Sequence, residues 1–235
     1  MSERPKLNEK IFAALFDHTV LVADATPKEI LAACKESLDH GFYGVVVNPL
    51  YIPLVVKTLT GSTVKAVSVV GFPLGAVPTQ LKVAATRWLV EEGADEIDMV
   101  MTIGSYLAGE MAVVQDDITA VIKAAGKLPV KVILETAYLR PEQIAEVSGW
   151  CAKVGAAFVK TSTGYGPRGV TAADLEAIAK GLAVYPEATR PAIKASGGIK
   201  TWQDAVSFYE LGAARLGSSR SVELLASFVA ARSNV

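Results

Sequence analysis

Short apolar runs alternate with longer stretches of mixed polarity along the whole chain. The runs at 16–21, 44–48, 64–71, 96–101, 130–135, 157–161, 191–195 and 214–217 have the length and apolar character of buried strands. Amphipathic stretches lie between them. In one, Leu81, Ala84, Ala85, Trp88 and Leu89 keep the i, i+3, i+4, i+7, i+8 spacing that predicts a single buried helix face. Leu175, Ile178, Ala179 and Leu182 repeat that spacing later in the chain.

A weak internal echo runs through this pattern. Gly93-Ala94, Gly155-Ala156 and Gly212-Ala213 each stand just before a predicted strand, and Gly41-Phe42 holds the same place earlier. A glycine there ends a helix by adopting positive φ, and a small neighbour lets helix and strand pack closely. Each interval holds two strands and two helices, so the chain reads as four quarter-units. Eight strand–helix pairs in 235 residues suit a (β/α)8 barrel, the TIM-barrel architecture of the α/β class. A doubly wound open sheet is the alternative, but it commonly uses fewer strands, and no Gly-x-Gly-x-x-Gly follows the first strand. No Pro/Ser-rich linker divides the chain, so one barrel domain over residues 1–235 is expected.

Composition narrows the partners. Hydrophobic residues make up 51% of the chain, enough for a sizeable core. Lys and Arg number 23 against 24 Asp and Glu, a balance that argues against a nucleic-acid or membrane surface. No apolar run is long enough to span a bilayer. The start, Met1-Ser2-Glu3-Arg4-Pro5-Lys6, has no apolar core behind a basic end, so no secretory signal is expected. Cys34 and Cys151 read as reduced, buried thiols of a cytoplasmic protein. His18 and His40 are the only histidines, and no Cys/His cluster has metal-ligand spacing; no cofactor is expected.

In such barrels the chemistry sits at the carboxyl ends of the strands. Those ends carry Asp17, Thr19, Asn48, Asp98, Glu135, Lys160 and Lys194. The two lysines stand out. Ala157-Phe158-Val159 runs straight into Lys160, and Pro191-Ala192-Ile193 into Lys194. A buried ammonium is costly, and two facing one cavity depress each other's proton affinity, which yields a neutral, nucleophilic amine near pH 7. Ser196-Gly197-Gly198 and Gly217-Ser218-Ser219 follow the last two strands, where glycine-rich turns expose N–H groups that grip a phosphate.

Each residue also has a plainer reading. Lys160 pairs structurally with Asp98 or Asp17, and Lys194 merely holds a phosphate. Strand alternation puts Glu96 and Asp98 on one face and Asp95 on the other. Glu135 is either a general base or a partner for Lys131. His18 is a hydrogen-bonded core histidine, and Asn48 before Pro49 shapes its loop.

Seven segments, read together, resemble the deoxyribose-phosphate aldolase family. They are Phe16-Asp17-His18-Thr19, Val47-Asn48-Pro49, Val69 to Gly75, Ala94 to Val100, Phe158-Val159-Lys160-Thr161-Ser162-Thr163-Gly164, Lys194 to Ile199 and Arg215-Leu216-Gly217-Ser218-Ser219. They occur in the family's order from about Leu15 to Leu225. The resemblance implies a metal-independent Schiff-base aldolase on a TIM barrel. Such an enzyme reversibly cleaves 2-deoxy-D-ribose 5-phosphate to D-glyceraldehyde 3-phosphate and acetaldehyde. It implies Lys160 as the Schiff-base lysine, Lys194 as the second lysine, Asp98 as the proton-handling aspartate and Asp17 in the charge network. Gly164, Gly197, Gly198, Gly217 and Ser219 then hold the phosphate, and the expected assembly is a homodimer or larger.

The chain departs from the family pattern at three places. Val46 stands where many relatives carry cysteine. Arg232-Ser233-Asn234-Val235 lacks the terminal tyrosine of some relatives, and Arg220 follows the phosphate serine. Two other functions share the barrel: an isomerase or epimerase with Glu135 as base, and a non-catalytic sugar-phosphate-binding barrel.

Overall fold

The computed structural model describes residues 4–233. The start of the segment read for a secretory signal, and the terminal Asn234-Val235, lie outside them. Within the described residues eight parallel strands close into a barrel in sequence order, β8 pairing with β1. They are β1 Phe16–Val20, β2 Gly44–Val47, β3 Lys65–Val70, β4 Glu96–Val100, β5 Val130–Ile133, β6 Phe158–Lys160, β7 Ala192–Ser196 and β8 Ala213–Ser218. No end departs from its predicted place by more than two residues.

One long helix follows each strand: Pro27–His40, Ile52–Leu59, Thr79–Glu91, Met111–Ala125, Pro141–Lys153, Ala172–Leu182, Trp202–Glu210 and Ser221–Ser233. Short helices at Glu9–Ala13 and Ile103–Leu107 are additions to the repeat. Local chemistry sets the starts. Thr26, Thr171 and Thr201 cap their helices reciprocally with Glu29, Asp174 and Asp204, satisfying N–H groups the helix leaves free. Gly41 closes its helix at φ 70, as the sequence predicts.

The main core lies between the barrel wall and the helices. The barrel interior is divided. Leu21, Val46, Val67 and Val69, with Phe72 against them, form a separate apolar cluster. A second part of the interior holds a charged cluster, as contacts between strands far apart around the ring demonstrate: Arg215 on β8 reaches Glu96 on β4, and Lys194 on β7 reaches Asp98 on β4. Val46 thus packs apolar surface where the sequence comparison raised the question of a cysteine.

One helix face differs from its prediction. On Thr79–Glu91 the buried residues are Lys82, Thr86 and Leu89, while Leu81 is 60% and Trp88 38% exposed. The cause is an ion pair. Lys82 Nζ donates to Asp117 Oδ2 at 2.6 Å and to the Val100 carbonyl at 2.9 Å, and the Thr79 hydroxyl donates to Asp117 Oδ1 at 2.8 Å. A fully satisfied buried pair, with the lysine stem as apolar filling, turns the helix away from its apolar stripe. On Ala172–Leu182, Leu175, Ile178 and Leu182 are buried as expected, whereas Ala179 faces outward.

Candidate active site

The site begins with strand register. Lys160 at the end of β6 stands level with Lys194 on β7, which stands level with Arg215 on β8, and Asp98 on β4 stands level with Lys131 on β5. All point into the ring. Asp98 Oδ2 accepts from both Lys160 Nζ and Lys194 Nζ, each at 2.8 Å, and Oδ1 accepts from Lys131 Nζ at 2.7 Å. Asp17 accepts from Lys194 and, at 2.9 Å, from Arg215. Glu96 pairs with Lys131 at 2.6 Å, and the Tyr43 hydroxyl donates to it at 2.9 Å. The Arg215 guanidinium lies 3.1 Å from the centroid of the Tyr43 ring.

Four basic groups therefore meet three acidic ones in a buried space. The odd positive charge is expensive there, and the cluster becomes neutral when one amine gives up its proton. Geometry selects the amine. Lys131 lies within 4.0 Å of three carboxyl groups, Lys194 and Arg215 each touch two, and Lys160 touches Asp98 alone. Burial pushes the Lys160 amine down to about 8 from the ordinary lysine range. Asp98 opposes this, and repulsion from Lys194 and then Lys131 adds to it. Roughly one such amine in ten is neutral at pH 7, against about one in a few thousand for a free lysine. Burial is thus the leading cause and the neighbouring cation a supporting one, the two causes that the sequence reading named together.

The carboxyl groups behave oppositely. Burial alone raises Asp98, but Lys131, Lys160 and Lys194 outweigh it and hold the group well below the usual carboxylate range. Burial likewise opposes ionisation of Asp17, and its cationic neighbours bring it down to about 2. Lys131 is raised despite burial by Asp98, Asp17 and Glu96.

Above this cluster opens a cavity of about 790 Å³. Lys160 lines it, whereas Lys194, Lys131 and Arg215 lie beneath. The sequence reading placed both lysines in the cavity wall; only one is there. Gly164, Gly197, Gly198, Gly217 and Ser219 all line the same cavity, so the two glycine-rich turns and the loop after Lys160 converge. Thr161 and Ser196 bind the ends of β6 and β7 together through paired 3.1 Å hydrogen bonds. Gly217 is required sterically. A Cβ there would stand 2.9 Å from Ser196 Cβ and 3.3 Å from Lys194 Cε. Arg220 also lines the cavity, with its guanidinium turned to Glu223 at 2.7 Å.

The remaining predictions divide. His18 is the hydrogen-bonded histidine expected, with Nε2 2.9 Å from Glu36, and burial lowers its affinity for a proton. Asn48 donates to the Leu21 carbonyl at 3.3 Å and shapes its loop. Thr19 lines the cavity. Asp95 faces away from Glu96 and Asp98, accepting from the Ala66 N–H at 2.8 Å. Glu135 contradicts both of its readings. It makes no pair with Lys131, whose Nζ is taken by the three inward carboxyl groups, and it lies outside the Lys160 cavity. Its Oε2 accepts instead from the Thr163 N–H at 3.1 Å. Sequence reasoning missed Lys131 and Arg215 as interior charges. The signal was present, since each is a lone cation inside an apolar strand with the parity of the inward positions.

Fold and site together define a class: a (β/α)8 barrel with a partly discharged lysine at its mouth, equipped for amine chemistry on a carbonyl compound. The profile of the DeoC/LacD family aldolase matches residues 11–222, and the chain belongs to that family. Deoxyribose-phosphate aldolase of Deinococcus radiodurans is 44% identical over 91% of this chain and 94% of its own. The enzyme of that name from Rhodospirillum rubrum is 44% identical over 94% and 91%. Among solved structures, the deoxyribose phosphate aldolase of Aeropyrum pernix, described as a unique tetramer, superposes with a TM-score of 0.87 at 30% identity, covering 95% of this chain and 93% of that one.

Proposed function

We propose that this chain is a class I aldolase that reversibly cleaves 2-deoxy-D-ribose 5-phosphate into D-glyceraldehyde 3-phosphate and acetaldehyde, with Lys160 as the Schiff-base residue. The observation carrying the reading is that Lys160 alone of the four clustered basic groups both opens to the cavity and has a single carboxyl partner. Its neutral amine adds to the aldehyde carbon of the open-chain sugar. Loss of water gives an iminium. The C3 hydroxyl then loses its proton, the C2–C3 bond breaks, and its electron pair passes into the iminium to form an enamine as glyceraldehyde 3-phosphate departs. Protonation at C2 and hydrolysis release acetaldehyde and restore the amine.

Asp98 shares one oxygen between Lys160 and Lys194, which suits it to pass protons between the reacting amine and its neighbour. Asp17 holds Lys194 from the far side. Gly164, Gly197, Gly198, Gly217 and Ser219 receive the phosphate, whose binding energy fixes the reacting carbon over Lys160. The reading extends to a homo-oligomer, in keeping with the tetrameric relative, and to a cytoplasmic location, which suits two buried thiols without a disulfide. The test is a coupled assay for glyceraldehyde 3-phosphate release with EDTA present. Cleavage undiminished by the chelator is expected. No release from 2-deoxyribose 5-phosphate contradicts the proposal.

A further inference from the structure

Glu135, left without either role the sequence suggested, sits at an unusual place. It follows β5 with φ 51, the non-glycine residue of positive φ among the described residues. That conformation is unfavourable for an L-residue and persists only where its surroundings impose it. The side chain is buried, at 2% exposure. Its Oε2 accepts both the N–H and the hydroxyl of Thr163. The Thr163 hydroxyl in turn accepts the Tyr165 N–H at 3.0 Å, and the Tyr165 hydroxyl donates to the Leu21 carbonyl at 2.9 Å, just beyond β1. A chain of hydrogen bonds therefore crosses the barrel mouth from the end of β5, through the loop after Lys160, to the end of β1. Gly164 lies in the middle of it, at φ 90, in the cavity wall.

The far side of the carboxyl group is closed as well. A Cβ on Gly166 would stand 2.8 Å from Oε1, so the loop folds directly over the group. Oε1 has no hydrogen-bond partner among the described residues. Leaving a buried carboxyl oxygen unpaired is unfavourable, and Glu135 lines a separate cavity of about 240 Å³ with Thr163, Tyr165 and Gly166 rather than the Lys160 cavity.

We infer that Glu135 is a positioning residue: it holds the Thr163–Tyr165 loop in the shape that receives the phosphate end of the substrate, and exchanges no proton with the sugar. The inference rests on the proposed aldolase function and deepens it. The experiment compares kcat and KM for 2-deoxyribose 5-phosphate and for unphosphorylated 2-deoxyribose, in the wild type, Glu135→Ala, Glu135→Gln and Thr163→Val. Glu135→Ala should raise KM for the phosphorylated sugar about tenfold or more, with kcat changed by less than about threefold. The preference for the phosphorylated sugar should shrink by the same factor. Glu135→Gln should recover part of it, because the amide oxygen can still accept from Thr163. Thr163→Val should reproduce the KM effect if Glu135→Ala fails to fold. An equal fall in kcat on both sugars would mark Glu135 as a proton-transfer group and overturn the inference, as would an unchanged preference. Inorganic phosphate binding, followed calorimetrically, separates the two claims. If the wild type cleaves neither sugar, the aldolase reading falls, while weaker phosphate binding in the variants still supports the loop role and equal binding still refutes it.

Discussion

Lys160 owes its reactivity first to burial and then to a mismatch of charge. Three acidic groups cannot satisfy four basic ones, and the amine with the fewest carboxyl partners bears the deficit. Two consequences can be measured. Lys194→Leu removes a repelling cation and leaves Asp98 Oδ2 to Lys160, with Lys131 still on Oδ1, and both changes raise the Lys160 pKa. The rising limb of kcat/KM with pH, near 8 in the wild type, should move upward. An unmoved limb contradicts charge coupling. Lys160→Met should abolish turnover yet stabilise the fold at pH 7. The sign follows from linkage: the folded pKa lies below the unfolded value of about 10.4, so the unfolded chain binds protons more tightly. The lysine therefore costs stability below pH 8, and that cost fades as pH rises from about 8 to 10.4. Each unit of depression is worth roughly 1.4 kcal/mol. Thermal melts of wild type and variant should thus differ at pH 7 and converge near pH 10. Wild-type-like turnover in Lys160→Met identifies another nucleophile.

The strands and loops convert that chemistry into a site. Strand positions were legible because each run is short, apolar and followed by its own helix. The inward face of Glu96 and Asp98 followed from parity alone. Helix Thr79–Glu91 was misread because its buried face carries Lys82, and the partner that makes such burial tolerable, Asp117, lies on another helix. Glu135 was misread for a related reason. Its partner Thr163 is close only once β5 and β6 have paired. Periodicity reports which face is apolar; it does not report partners distant in sequence. The same limit hid the close approach of Gly169 to Gly197. A Cβ on Gly169 would stand 2.3 Å from the Gly197 carbonyl oxygen, so the turn after β7 must shift in Gly169→Ala. KM for the phosphorylated sugar should rise about tenfold. An unaltered KM shows that this turn does not hold the phosphate.

Closure of the barrel makes the cluster possible. Asp17 on β1, Asp98 on β4 and Lys194 on β7 meet only because the ring is shut. Their pairing also ties stability to pH. Asp17 is held at about 2, below its unfolded value of about 3.9, so its contribution is present above pH 4 and is lost as pH falls toward 2. Asp98 shifts in the same direction. Acid titration followed by circular dichroism should show unfolding in that window, with Asp17→Asn less sensitive to pH and less stable at neutrality. The most direct measurement of the whole account is reductive trapping. Acetaldehyde and cyanoborohydride are added at a series of pH values, and the modified peptide is located by mass spectrometry. One ethyl group on Lys160, forming faster with rising pH through a midpoint near 8, is the predicted result. An adduct on another lysine, or an unmodified Lys160 in enzyme that still turns over, contradicts it.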